Sequence, residues 1–269
     1  MQIVSACLAR DLPVYRRTFC SLVEHLPGAE IHVITRKDDF GSFRNACGAE
    51  LKLWDEGDLV PGMTLPELRK LPLPFFPVGA GWYFQQFLKY GFHTVSNDNE
   101  HFLIWDADTV LLRPLKFFDD AGRPIYTRAE ERHPPYFATF KALFGVEMRQ
   151  EFSFISQHQI INKRILREML SLIEERNGGK AWPWAIMDNL WGSGSNLFSE
   201  YETYGHYLKW RHPSDFALRD LAWTRNGGGS LGLPPWTPVL RSLRNRYNFA
   251  AFEASSGLPR KIVRALRHG

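Results

Sequence analysis

The sequence predicts an α/β fold, a single Rossmann-like domain around a mixed, mostly parallel sheet, with a basic helical appendage at the C-terminus. Three observations predict it. Strand-like runs alternate with helical ones over residues 2–105, the pattern of parallel β-α-β units. The run Phe102-Leu103-Ile104-Trp105 is apolar at every position, as a strand buried on both faces must be. Between Arg241 and Gly269 there are seven Arg or Lys residues and one acid, Glu253.

Each element follows from its residues. Gln2–Cys7 reads as a first strand. Pro13–Leu26 places Val14, Phe19, Leu22, Val23 and Leu26 near helical spacing, and Pro27-Gly28 stops it. Glu30–Thr35 (EIHVIT) is a second strand, followed by the polar turn Arg36–Asp39, and Glu50–Trp54 a third. Asp55–Val78 is Pro-rich and reads as a long loop, a feature that inside a domain is usually functional. A helix over Trp82–His93 leads into the apolar strand. Strands follow at Pro124–Thr127 and Phe152–Ile161, with a helix at Pro135–Phe144 between them. Lys163–Glu175 is amphipathic and ends at Asn177-Gly178-Gly179, Trp182–Tyr207 reads as helix in pieces, and Asn226–Gly229 as a turn. The expected division is a folded domain over residues 1–240 and a tail over 241–269.

Composition narrows the class. The chain has 269 residues, 44% of them apolar, enough for one substantial core. Its three cysteines, Cys7, Cys20 and Cys47, have no CxxC spacing, so neither a disulfide framework nor a zinc knuckle is expected; reduced thiols in a cytoplasmic protein are. No basic segment followed by an apolar one opens the chain, and no window approaches 18 apolar residues, so neither a signal peptide nor a transmembrane helix is expected. The net charge is +4, but no basic-aromatic RNA-binding module is present, and no nucleic-acid partner is expected.

The most informative stretch is HFLIWDADTVLLRPL, His101–Leu115. The apolar run ends in Asp106-Ala107-Asp108, and another resumes at Val110. Acids at the mouth of a buried strand are costly unless a cation faces them. At i and i+2 of an extended chain both would point to one side, ready to share a hard divalent cation with a diphosphate. A buried structural acid pair is the competing reading.

This strand, its DxD and the Arg-Pro that follows resemble the nucleotide-sugar-dependent glycosyltransferases of the GT-A fold. Three further blocks, GWYFQQFLKY (81–90), SFISQHQIINKRILREML (153–170) and FSEYETYGHYL (198–208), make the chain similar to a poorly characterised bacterial family of GT-A-like proteins of unknown function. The resemblance spans most of Met1–Arg211. It implies a GT-A domain that uses Mn²⁺ or Mg²⁺, with Asp108 as principal ligand, Asp106 as its partner in holding metal or ribose, and His212 as a loose match to a C-terminal metal-binding histidine. It also implies a carboxylate near the acceptor that deprotonates the attacking hydroxyl. Glu200 is the preferred base, with Glu202 and Asp188 behind it. The same acids read as the first turn of a helix capped by Ser199.

Other residues are placed by chemistry or position. Lys89 and Gln85, four apart on one helix, are candidates to reach donor phosphate or sugar, or are surface residues of an amphipathic helix. His158, in a polar interruption of an apolar strand, is a donor- or acceptor-binding residue or a core histidine. Asp11 and the Arg36–Asp39 turn are candidates for nucleoside contacts because they follow strand ends. In the tail, Leu258–His268, apolar Leu258, Ile262, Val263 and Leu266 share a helical face and basic residues fill the rest, which fits peripheral contact with the inner face of a membrane.

The expected activity is metal-dependent transfer of a sugar from a nucleotide-sugar donor to a hydroxyl of a cell-envelope glycan or lipid-linked glycan acceptor. Two other readings stand beside it. One is a sugar nucleotidyltransferase, although SACLARDLP after the first strand has no glycine to cradle phosphate. The other is a glycan-binding module without catalysis.

Overall fold

The computed structural model of the chain describes residues 1–71, 79–97, 99–192, 196–229 and 232–253. Its strands are β1 (Gln2–Ala6), β2 (Glu30–Thr35), β3 (Lys52–Asp55), β4 (His101–Trp105), β5 (Thr109–Leu111), β6 (Ile125–Thr127), β7 (His158–Asn162), β8 (Ala217–Arg219), β9 (Trp223–Thr224) and β10 (Phe249–Ala251). Its α-helices are α1 (Leu12–His25), α2 (Phe40–Cys47), α3 (Leu65–Leu68), α4 (Ala80–Gly91), α5 (Pro134–Phe144), α6 (Lys163–Arg176), α7 (Trp182–Asp188), α8 (Glu200–Arg211) and α9 (Thr237–Arg244).

The central sheet has the order β3-β2-β1-β4-β7. The first four strands are parallel, and β7 runs antiparallel along β4. The predicted mixed, mostly parallel sheet is therefore present. β4 is fully buried from Phe102 to Trp105, which is why its sequence does not alternate. From β1 the chain builds outward through β2 and β3, then returns to place β4 on the other side. In such sheets the crevice between the carboxyl ends of the two strands at the reversal takes ligands. Here those strands are β1 and β4.

Two expectations are corrected. The strand expected over Phe152–Ile161 begins only at His158, because Gln157 has φ 64° and breaks the extended run. Residues beyond 241 do not leave the domain at once. Phe249–Ala251 form the middle strand of a second sheet, β5-β10-β9, and are fully buried. Val239, Leu240 and Leu243 of α9 cover Val110 and Leu112 beside it. The tail helix expected at Leu258–His268 lies outside the described residues. Among the described residues no helix is long and apolar enough to cross a membrane.

Candidate functional site: an acidic turn at the carboxyl edge of the sheet

The site is built on the turn after β4. The backbone is not extended at Asp106-Ala107-Asp108, as the sequence reading assumed; Thr109 N–H donates to the Asp106 carbonyl at 3.1 Å and closes a turn. Every side of that turn is held. The Ser5 hydroxyl of β1 donates to the Trp105 carbonyl at 2.7 Å, and Thr18 of α1 to the Ala107 carbonyl at 2.9 Å. The Asp106 N–H donates to the Gln157 carbonyl at 2.9 Å, and Phe252 N–H to the Asp108 carbonyl at 2.9 Å. Gln157, a buried non-glycine residue with positive φ, thus aims its carbonyl at this turn, a strained conformation of the kind that concentrates at functional sites.

The two acids have different surroundings. Asp106 Oδ1 accepts from Lys89 Nζ at 2.6 Å and from the Tyr201 hydroxyl at 2.7 Å. Lys89 Nζ also donates to Glu200 Oε1 at 2.5 Å and lies 4.7 Å from the Tyr201 ring centroid. Lys89 is buried on α4 and Glu200 opens α8, so one ammonium bridges two elements and the turn. Burial works to discharge that ammonium, but the two carboxylates overrule it and hold its pKa above the ordinary lysine value. Among the described residues no cation pairs with Asp108, although Lys89 is near enough to pull its carboxyl down. Burial, and then the charges of Asp106 and Glu253, push its carboxyl up to about 7.

The structure distributes the sequence candidates plainly. Asp106, Asp108, Lys89 and Glu200 come together. Glu200 is buried, and burial raises its carboxyl against the pull of Lys89. Its Oε1 accepts from Lys89 and its backbone N–H donates to the Gln86 side chain. Glu202 is turned away from this cluster: it accepts from the Ser153 hydroxyl at 2.5 Å and the Phe154 N–H at 3.3 Å, and lies 3.1 Å from His206. Asp188 is exposed and pairs with Lys180. His212 lies at the far end of α8, some 16 Å along the helix from Tyr201 by helical rise. It pairs there with Glu168 at 3.1 Å and Asp215 at 3.5 Å, and does not join Asp108.

His158 is a core histidine. It stacks on Trp105, and its ring nitrogens lie 3.2 Å from the Thr127 hydroxyl and 2.9 Å from the Ser156 carbonyl. Gln85 is only half-buried. Its neighbour Gln86 reaches inward, where its side-chain carbonyl accepts from Glu200 N–H at 3.0 Å. Asp11 is exposed at the carboxyl end of β1, beside Arg10. Gln86, Tyr201, Gln157 and Glu253 were missed. Gln86 precedes Lys89 by three residues and shares its helix face, a phase signal that was available; the other three carry no local signal.

Two openings are lined by other segments of the described chain. A cavity of about 450 Å³ lies over the carboxyl ends of β1, β2 and β3, lined by Leu8, Arg10, Arg36, Glu56, Leu65, Pro66 and Arg69. A groove of about 1110 Å³ is lined by stretches at 128–132, 150–153 and 220–225, together with Ile155. In the groove Arg128 pairs bidentately with Asp220, and Arg225 reaches Glu131 at 2.5 Å and Glu253 at 3.6 Å.

Residues 11–218 match the family described as "Family of unknown function (DUF6492)". The chain belongs to that family. Among solved structures it is similar to mouse xyloside xylosyltransferase 1 in its apo form, with 14% identity over 96% of this chain and 100% of that one and a TM-score of 0.55. It is also similar to the galactosyltransferase LgtC in complex with donor and acceptor sugar analogs, with 12% identity over 95% of this chain and 88% of that one and a TM-score of 0.50. These likenesses establish that this DUF6492 chain has the GT-A fold. No curated protein sequence matches it.

Proposed function

We propose that this DUF6492 protein transfers a sugar from a nucleotide-sugar donor to a hydroxyl of a glycan or lipid-linked glycan. One observation carries the reading: two carboxylates stand on a pinned turn at the carboxyl end of β4, one satisfied by Lys89 and Tyr201, the other with no ion-pair partner among the described residues. An uncompensated carboxyl of that kind fits a hard divalent ion. Among the described residues no three His, Cys, Asp or Glu side chains form a metal cage, so Mn²⁺ or Mg²⁺ would be held by Asp106 and Asp108 with the donor diphosphate completing its shell. When bound, such an ion neutralises the charge that develops on the leaving diphosphate.

The chain's own residues supply the rest. Lys89, fixed between Asp106 and Glu200, orients Asp106 and keeps the turn from flying apart by like-charge repulsion. The nucleoside would lie along the carboxyl edge of β1–β3 and the acceptor in the groove beside Arg225, so that its hydroxyl meets the anomeric carbon next to Asp108. The bond from that carbon to the diphosphate breaks, the bond to the acceptor oxygen forms, and the hydroxyl proton passes to the departing diphosphate or to solvent. The basic tail sequence supports peripheral contact with the inner face of a membrane, where a lipid-linked acceptor would be found.

The test is calorimetric titration of nucleoside diphosphates with and without Mn²⁺, followed by donor hydrolysis. Asp108→Asn should abolish the metal-dependent part of binding and lower turnover by about 100-fold or more, while the protein stays folded. Turnover unaffected by Asp108→Asn, or the absence of any metal-dependent nucleotide binding, overturns the proposal.

A further inference from the structure

The cavity over β1–β3 has a composition that the transfer chemistry does not require. Three arginines, Arg10, Arg36 and Arg69, line it together with a single acid, Glu56. Leu8, Leu65 and Pro66 give it apolar walls. Its volume of about 450 Å³ is within the ~300–1,000 Å³ of small-molecule sites. Arg10 and Arg36 have acids of their own, Asp11 and Asp39. Glu56 does not have the converse: among the described residues its carboxylate neither hydrogen bonds nor ion-pairs. Burial raises its pKa, although Arg36 and Arg69 stand near enough to pull it down. A half-buried carboxylate with no protein donor is free to accept from a ligand in the cavity.

The sheet fixes where that ligand would lie. Glu56 follows β3, Arg36 follows β2, Leu8 follows β1 and Asp106 follows β4, and these strands are neighbours in that order. Three strand spacings, about 14 Å, separate the ends of β3 and β4. A stretched nucleoside diphosphate covers such a distance, with its diphosphate at Asp108 and its base over β2 and β3.

We propose that Glu56 reads the base of the donor nucleotide and that this base is guanine; the inference rests on the nucleotide-sugar reading of the site. A carboxylate has two acceptor oxygens side by side. Guanine offers two adjacent donors, N1–H and the N2 amino group. Uracil offers one N–H between two carbonyls that a carboxylate repels, and cytosine and adenine each set an amino group beside a ring acceptor. The planar guanidinium groups of Arg36 and Arg69 suit the faces of a purine.

Calorimetric titration of the full-length protein with GDP, UDP, ADP and CDP in Mn²⁺ tests this. GDP should bind about 10- to 100-fold more tightly than the others. Glu56→Gln should bring the four within about threefold of one another by weakening GDP alone, whereas Asp108→Asn should weaken all four. A preference for another base, equal binding of the four, or a Glu56→Gln variant that weakens all four by one factor (a carboxylate on the ribose) overturns the assignment of guanine. In those cases nucleotide still binds and the transferase reading stands. If none of the four binds, both fall.

Discussion

The two ends of α8 carry similar ingredients and use them differently. At its first turn Glu200 and Tyr201 meet Lys89 and Asp106, with Lys89 and Glu200 almost wholly out of solvent. At its last turn Glu168 and Arg211, both reached by water, meet His212 and the buried Tyr207. In the first, each charge exists because another holds it there, so removing one leaves its partners stranded in a low dielectric. In the second, water can take over from a lost partner of Glu168 or Arg211. Burial makes the members of the first cluster interdependent, whereas His212 pairs with Glu168 and Asp215 at the other end of the helix.

Lys89→Met should break this contrast most severely. It leaves Asp106 and Glu200 buried without a cation and should lower unfolding free energy by about 3–5 kcal/mol, as read by urea denaturation. A loss as small as that of a surface pair would mean the two poles are equivalent. Gly205→Ala probes the middle of the helix. A Cβ there would stand 2.2 Å from the Phe154 ring, so α8 must shift and carry Glu200 with it. The expected cost is about 1–3 kcal/mol, together with weakened metal-dependent nucleotide binding; a fully normal site would separate the helix position from the turn.

Acidity sharpens the comparison from the core. Burial holds His158 neutral, with its pKa lowered to about 3, and His32 likewise at about 4. Unfolded, both take up a proton near pH 6.5, so their contribution to stability is complete above that pH and drains away as pH falls from there toward the folded values. Asp108, raised to about 7, acts in the opposite sense and gains stability as it protonates. Comparison with His158→Gln cancels that term. Between pH 6 and 5 the variant should lose stability less steeply than the parent, by up to about 1.4 kcal/mol per pH unit. Parallel pH curves would show that His158 is not buried as described. The smallest effect belongs to His212→Gln, under about 1 kcal/mol, with metal-dependent nucleotide binding intact. Loss of that binding would return His212 to the site.

Much of the frame was legible because its causes are local. β1 and β2 read as strands from short runs rich in Ile and Val and β4 from an unbroken apolar run, and α6 and α8 announce their starts with Asn162 and Ser199, whose side chains cap the first turn. α2 was missed because Phe40–Cys47 buries one residue, Phe43, and so has little periodicity to show. β5, β9 and β10 are two or three residues long, too short for any pattern, and exist because the ends of the domain meet. The same holds for the boundary at residue 241, where charge suggested a tail and Phe249–Ala251 lie in the core.

The sequence by itself determined the α/β class, the buried strand and the acid pair at its mouth, since burial pattern and turn chemistry are written in neighbouring residues. Only the tertiary structure decided which acid is neutralised. Lys89 and Glu200 are 111 positions apart, and nothing local tells that one ammonium will serve Glu200 and Asp106 together while Asp108 has no ion-pair partner among the described residues. Electrostatic pairing depends on distance through space and on the dielectric around it, and both are set only when the chain has packed.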